Sequence, residues 1–263
     1  MELEKRKIGE AVAAVGVVLG LIALWAGVLD GVTGTYSKDG TFTTAMIILL
    51  GLAACCLAAS LLGSANLDLV AATAGGTAFG FFLYVPAIVA FSNLDRLGSG
   101  AWLGICAGLI PLGAGFAHFA ASRRSAAKAL AANPATAVAA IGLVLIVAGI
   151  WMEVADKSGV SYWNGSSSGH ALGLLMLLLA IASALLIVLA VRSRSGCLAD
   201  LALIVACITA GLAMTEGVGD AFGAFNVMGS GAWMELFGGL ALLIGLIGTR
   251  MSKFPAMKKS SAS

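Results

Sequence analysis

The sequence predicts an all-α integral membrane protein with eight transmembrane helices, built as a tandem duplication of a four-helix unit whose two copies share one orientation. Three observations predict it. Of the 263 residues, 60% are apolar and 11% charged, against about 45–50% and 25% in soluble domains, and the mean hydropathy is +1.03. The apolar residues fall in long runs. These suit helices, which need roughly 20 residues to cross a hydrocarbon layer, better than barrel strands alternating over about ten. Finally, Gly98-Ser99-Gly100-Ala101-Trp102 recurs letter for letter as Gly229-Ser230-Gly231-Ala232-Trp233.

The surroundings of that pentapeptide repeat as well. The run from Val12 to Leu19 matches the run from Val138 to Leu145, and the same offset places Trp25 on Trp151, Asp30 on Asp156 and Tyr36 on Tyr162. A few inserted residues later the Gly-Ser-Gly-Ala-Trp copies fall into line. Such self-similarity marks a duplicated structural unit. An even number of spans per unit gives both copies one orientation, so their pseudo-twofold axis runs along the membrane normal.

In chain order the spans fall at roughly 8–29, 44–63, 69–91, 101–122, 135–155, 171–191, 198–219 and 232–250. The first repeat covers 1–122, a basic linker 123–134, the second repeat 135–252, and a basic, disordered tail 253–263. The charged start, Met1 to Lys7, resembles the head of a signal peptide. The following apolar stretch, however, exceeds the roughly 7–15 residues of such a peptide and recurs inside the chain, so it is expected to stay as the first span. Pro134 suits the first turn of the fifth helix, where its missing N–H is no loss.

Orientation follows from the basic residues, which collect on the cytoplasmic side. Lys5, Arg6, Lys7, Arg123, Arg124, Lys128, Arg192, Arg194, Arg250, Lys253, Lys258 and Lys259 fall on one side, and Lys38, Arg96 and Lys157 on the other. That asymmetry predicts a cell (inner) membrane protein with both termini in the cytoplasm and the loops at 30–43, 92–100, 156–170 and 220–231 facing out.

Few residues carry chemistry. Cys55, Cys56, Cys106, Cys197 and Cys207 form no Cys-x-x-Cys pair and read as small apolar residues. His118 and His170 lie toward opposite ends of their spans and read as packed or interfacial. Phosphate-loop, zinc-helix and nucleophile-elbow motifs are missing from the sequence. The expectation is a protein that is not an enzyme, takes no metal or cofactor and binds no nucleic acid.

The candidate site is acidic. Glu153 and Asp156, three apart, and Glu216 and Asp220, four apart, would each share a helix face at helix C-termini, where the macrodipole disfavours negative charge. Lys157, Arg96, Lys38 or a bound cation would compensate them. Glu235 sits in the first turns of the last helix, where the dipole favours it. Only the second copy carries the set, because Glu153 aligns with Gly27, Glu216 approximately with Val85, and Glu235 with Gly104. The repeat-matched aromatics Trp25, Trp151, Tyr36, Tyr162, Trp102 and Trp233 fit an interfacial belt, and the Gly-Ser of each pentapeptide a helix entry with Ser as cap.

Glycines four apart, at Gly16 and Gly20, Gly76 and Gly80, and Gly104 and Gly108, permit close helix crossings, within the bundle or to another subunit. Two functions fit. The first expectation is a non-enzymatic accessory or scaffolding subunit of a larger membrane complex, which contacts membrane lipids, other membrane subunits or its own copies through helix faces and its extracytoplasmic face. The other is a small permease or channel whose acidic outward vestibule takes a cation or a protonated solute.

Overall fold

The computed structural model describes residues 2–27, 40–61, 65–89, 97–121, 134–153, 161–163, 167–193, 195–223 and 228–251. Among them the regular structure is helical: α1 (Glu2–Ala23), α2 (Gly40–Ser60), α3 (Ala65–Val89), α4 (Ser99–Cys106), α5 (Leu109–Ala121), α6 (Pro134–Trp151), α7 (Ser167–Ser193), α8 (Gly196–Gly223) and α9 (Ser230–Met251). Among the described residues six stretches are long and apolar enough to cross a membrane: Phe42–Ser60, Leu67–Ala87, Ser99–His118, Gly169–Ser193, Gly196–Thr215 and Ser230–Thr249. The apolar part of α6 is shorter, and α1 carries charge through its first turns.

Local chemistry sets the helix ends. Pro134 opens α6, as its missing donor allows. Ser195 precedes α8, and its hydroxyl accepts the Leu198 N–H at 3.4 Å, an N-cap that satisfies one orphan amide. The stretch from Ser99 to Ala121, expected as one span, is broken between α4 and α5. Pro111 has no N–H to give the Ala107 carbonyl, and Ile110 donates to that oxygen instead at 2.9 Å. The tightened turn parts the helix. No proline lies in α9, which runs on unbroken.

The helices form one bundle with α3 and α8 at its centre. In both, 67% of the apolar stretch is buried, against 22% in α7. α3 contacts α2, α5 and α8, while α8 contacts α7, α9 and α3; α1 lies along α4 and α5, and α6 along α9. The two central helices meet backbone to backbone. A Cβ on Gly80 would strike the Ile208 carbonyl oxygen, and one on Gly211 would strike that of Thr77. The α1–α5 and α6–α9 crossings are just as close: a Cβ on Gly113 would lie 2.6 Å from the Ala13 nitrogen, and one on Gly245 2.8 Å from the Ala139 Cα.

The outer faces are apolar. Val12, Val15 and Val18 of α1 are exposed, as are Val138, Ile141 and Val144 of α6. At three-residue spacing each set forms one stripe, suited to hydrocarbon.

Unfolding in detergent tests the central crossing. Gly211→Val should lower stability by about 1–3 kcal/mol or more, because the added carbons meet backbone that cannot yield. Gly51→Ala, at a site with nothing within 4 Å, should be neutral or slightly stabilising.

Candidate functional site

The duplicated pentapeptide is a junction between helices. Gly98 occupies the N-cap of α4 with extended backbone (φ −73°, ψ 169°) and makes no side-chain cap hydrogen bond. Ser99 is the first helical residue, so the expected serine cap is replaced by a backbone contact. The Gly100 N–H donates to the Gly27 carbonyl at 2.7 Å, and the Gly231 N–H donates to the Glu153 carbonyl at 2.8 Å. The start of one helix thus meets the chain just beyond the end of another, and orphan donor and acceptor satisfy each other. Glycine is required for this approach: a Cβ on Gly100 would lie 2.5 Å from the Ala26 oxygen, and one on Gly231 2.8 Å from the Glu153 oxygen.

Just beyond the second junction the two halves part. Glu235, roughly 8 Å into α9 at 1.5 Å per residue, is 0% exposed. Tyr162, itself buried, donates its hydroxyl hydrogen to Glu235 Oε2 at 2.9 Å. Space for this pair comes from missing side chains. A Cβ on Gly149 of α6 would lie 2.7 Å from Glu235 Cγ, and one on Gly173 of α7 would lie 2.9 Å from Tyr162 Cβ. α6 therefore closes directly on the Glu235 side chain, while α7 packs on Tyr162, which binds it. Gly104 follows the first pentapeptide as Glu235 follows the second, and there a Cβ would lie 2.7 Å from the Phe82 ring. Phe82 is fully buried, so an aromatic ring packs against Gly104.

Three rings stack beside this site. Trp151 and Trp163 lie 5.0 Å apart, and Trp163 and His170 6.3 Å apart. His170 Nε2 is 2.7 Å from the Trp163 carbonyl oxygen, so that nitrogen carries a hydrogen. Trp163 Nε1 is buried and meets no acceptor among the described residues. Trp25 and Trp151 are similarly exposed, at 60% and 61%, and Trp102 is exposed too, as suits rings at an apolar–polar boundary. Trp233 is half-buried and stacks on Phe237 at 5.5 Å.

The acidic candidates do not share one environment. Glu153 is exposed, and it is its carbonyl that touches α9. The backbone of Glu216 and Asp220 lies in α8, but their side chains fall outside the described residues, as do Asp156, Tyr36, Lys38, Arg96 and Lys157. Among the described residues no group of three His, Cys, Asp or Glu side chains is placed to hold a metal.

At the other end of the bundle a second polar group was not among the sequence candidates. It contains Arg6 and Glu10 of α1, Ser60 of α2 and Asp68 of α3, with Glu10, Ser60 and Asp68 buried. His118 Nε2 of α5 lies 3.9 Å from Asp200 Oδ2 of α8, and both residues are buried. The signal was present in the sequence: Asp68 and Asp200 each interrupt the start of an apolar run, and Arg6 and Glu10 are four apart on one helix face.

A double-mutant cycle on Tyr162→Phe and Glu235→Gln tests the buried pair. Tyr162→Phe alone should destabilise by about 1–3 kcal/mol, since a buried carboxylate loses a donor, and the two changes should couple by about 0.5–3 kcal/mol. Additive effects would remove the pair from the site. No family model, no curated protein and no solved structure matches this chain.

Proposed function

We propose that the chain is a small membrane permease or channel for a cation or protonated solute, with Glu235 as its central acidic ligand and Tyr162 as the group that orients it. One observation carries this reading: a fully buried carboxylate, held by a tyrosine hydroxyl, inside an apolar helix bundle. Ionisable groups at membrane depth are expensive and by default mark ion or substrate pathways. Packing alone does not call for Glu235, since the first half fills the aligned place with Phe82 over Gly104.

The frame of the proposal is a duplicated four-helix unit with eight spans. Counting α1 and α6 as spans gives α1–α3 plus the α4–α5 pair in one unit and α6–α9 in the other. The 18 residues of α6 lie within the range of about 17–25 that can span. Support for the duplication comes from the paired junctions at Gly100 and Gly231, the paired crossings at Gly113 and Gly245, and the meeting of Gly80 with Gly211 on what would be the pseudo-twofold axis. Such an axis along the membrane normal is known in transporters built from parallel repeats. Basic residues favour cytoplasmic termini in a plasma membrane, and Glu235 then lies in the outward half.

The accessory-subunit reading, expected first from the sequence, called for an outward face and helix faces, among them the glycines four apart, to meet a partner. Those glycines are spent within the chain: a Cβ on Gly16 would meet Ile110, on Gly20 Leu50, on Gly76 Cys207, on Gly104 Phe82 and on Gly108 Phe79. The permease reading is therefore preferred.

Reconstitution into liposomes carrying a pH-sensitive or Na⁺-sensitive dye tests the function. The protein should dissipate an imposed proton or Na⁺ gradient, and Glu235→Gln should slow that flux at least tenfold. Flux unchanged in Glu235→Gln, or no flux above empty liposomes for either ion, would sink the proposal.

A further inference from the structure

At the end of the bundle where α1 and α3 begin and α2 finishes, four side chains close on one another. The single Nε–H of Arg6 faces two carboxylates, Asp68 Oδ2 at 3.1 Å and Glu10 Oε1 at 3.0 Å. Its Nη2 donates to the Ser60 carbonyl at 2.8 Å. The Ser60 hydroxyl lies 2.7 Å from the Leu57 carbonyl and 3.2 Å from Glu10 Oε1. Asp68 is 0% exposed, and its second oxygen, Oδ1, meets no hydrogen-bond donor among the described residues.

A buried carboxylate oxygen without a donor forfeits its hydration and receives nothing in return. Formal charges sharpen the point. Two carboxylates face one guanidinium, which leaves one negative charge, while Lys5 and Lys7 are exposed. The atoms gathered about Arg6 are hard oxygens, from two carboxylates and the Ser60 carbonyl, with the Ser60 hydroxyl against Glu10, and such ligands suit hard cations. A divalent ion would overcompensate beside Arg6, whereas a monovalent one balances the charge.

The geometry points to a binding site for a monovalent alkali cation, formed by Asp68 and Glu10 with Ser60 and anchored on Asp68 Oδ1. It lies at the opposite end of the bundle from Glu235, and does not rest on the role given to that residue.

Thermal unfolding of the full chain in a mild, uncharged detergent tests this, with NaCl, KCl and choline chloride compared at equal ionic strength. In the wild type the unfolding midpoint should rise saturably with Na⁺ or K⁺ relative to choline, by mass action on the folded state. Asp68→Asn, nearly isosteric, should lose that rise, and Ser60→Ala should shift it to several-fold higher salt. Should Asp68→Asn fail to fold, the wild-type series and Ser60→Ala still decide. Identical midpoints in all three salts would overturn the site, leaving Oδ1 solvated by water alone. A rise that survives Asp68→Asn but is abolished by Glu235→Gln would also overturn it and place the cation at the other end.

Discussion

Helices in hydrocarbon gain little by hiding leucine from lipid, so their association depends on how closely their backbones can approach. Everything else in this bundle rests on that constraint. The central crossing of α3 and α8 has no room for a Cβ at Gly80 or Gly211, and the flanking crossings close on Gly113 and Gly245 in the same manner. Larger side chains such as Phe82, Met46 and Leu50 fill the space beside these crossings, and valine and isoleucine stripes cover the outer faces of α1 and α6. Tight backbone packing and an apolar exterior are two results of one solvent.

Against this background polar side chains stand out, because each must find its partners within the protein. Hydroxyls do so locally: Thr209 donates to the Val205 carbonyl and Thr215 to that of Gly211. Glu10 finds Arg6 on its own helix, but the two fully buried carboxylates recruit distant elements. Glu235 takes the hydroxyl of Tyr162, 73 residues away in the chain, and Asp68 takes the guanidinium of Arg6, 62 away. Both links cross between elements, and each marks a place where the chain has given up apolar packing.

Much of the fold was legible in the sequence because hydrocarbon imposes length and composition on each helix separately. The six long apolar stretches lie where run length put them, with ends displaced by a few residues; α1 begins well before residue 8 because its charged turns are helical too. The break between α4 and α5 was written in Pro111, but run length alone passes over it. Half of the candidate site was also readable. The repeat singled out Glu235 by its mismatch with Gly104, yet gave no reason to join it to Tyr162, which as a loop tyrosine reads equally well as a boundary residue. The same mismatch groups Glu153 with Glu235 as an acidic candidate, and its side chain is exposed.

The sequence by itself determined that this chain is helical, apolar and self-similar, since those properties depend on residues near one another or on a simple offset. Only the tertiary structure decided which polar groups meet. The meeting of α6, α9 and the 161–163 segment at Glu235, and of α1, α2 and α3 at Arg6, depends on where and how the helices cross. The physical reason is that burial and hydrogen bonding are properties of pairs. A position in the chain fixes what a side chain can offer, and the packing of distant helices fixes what receives it.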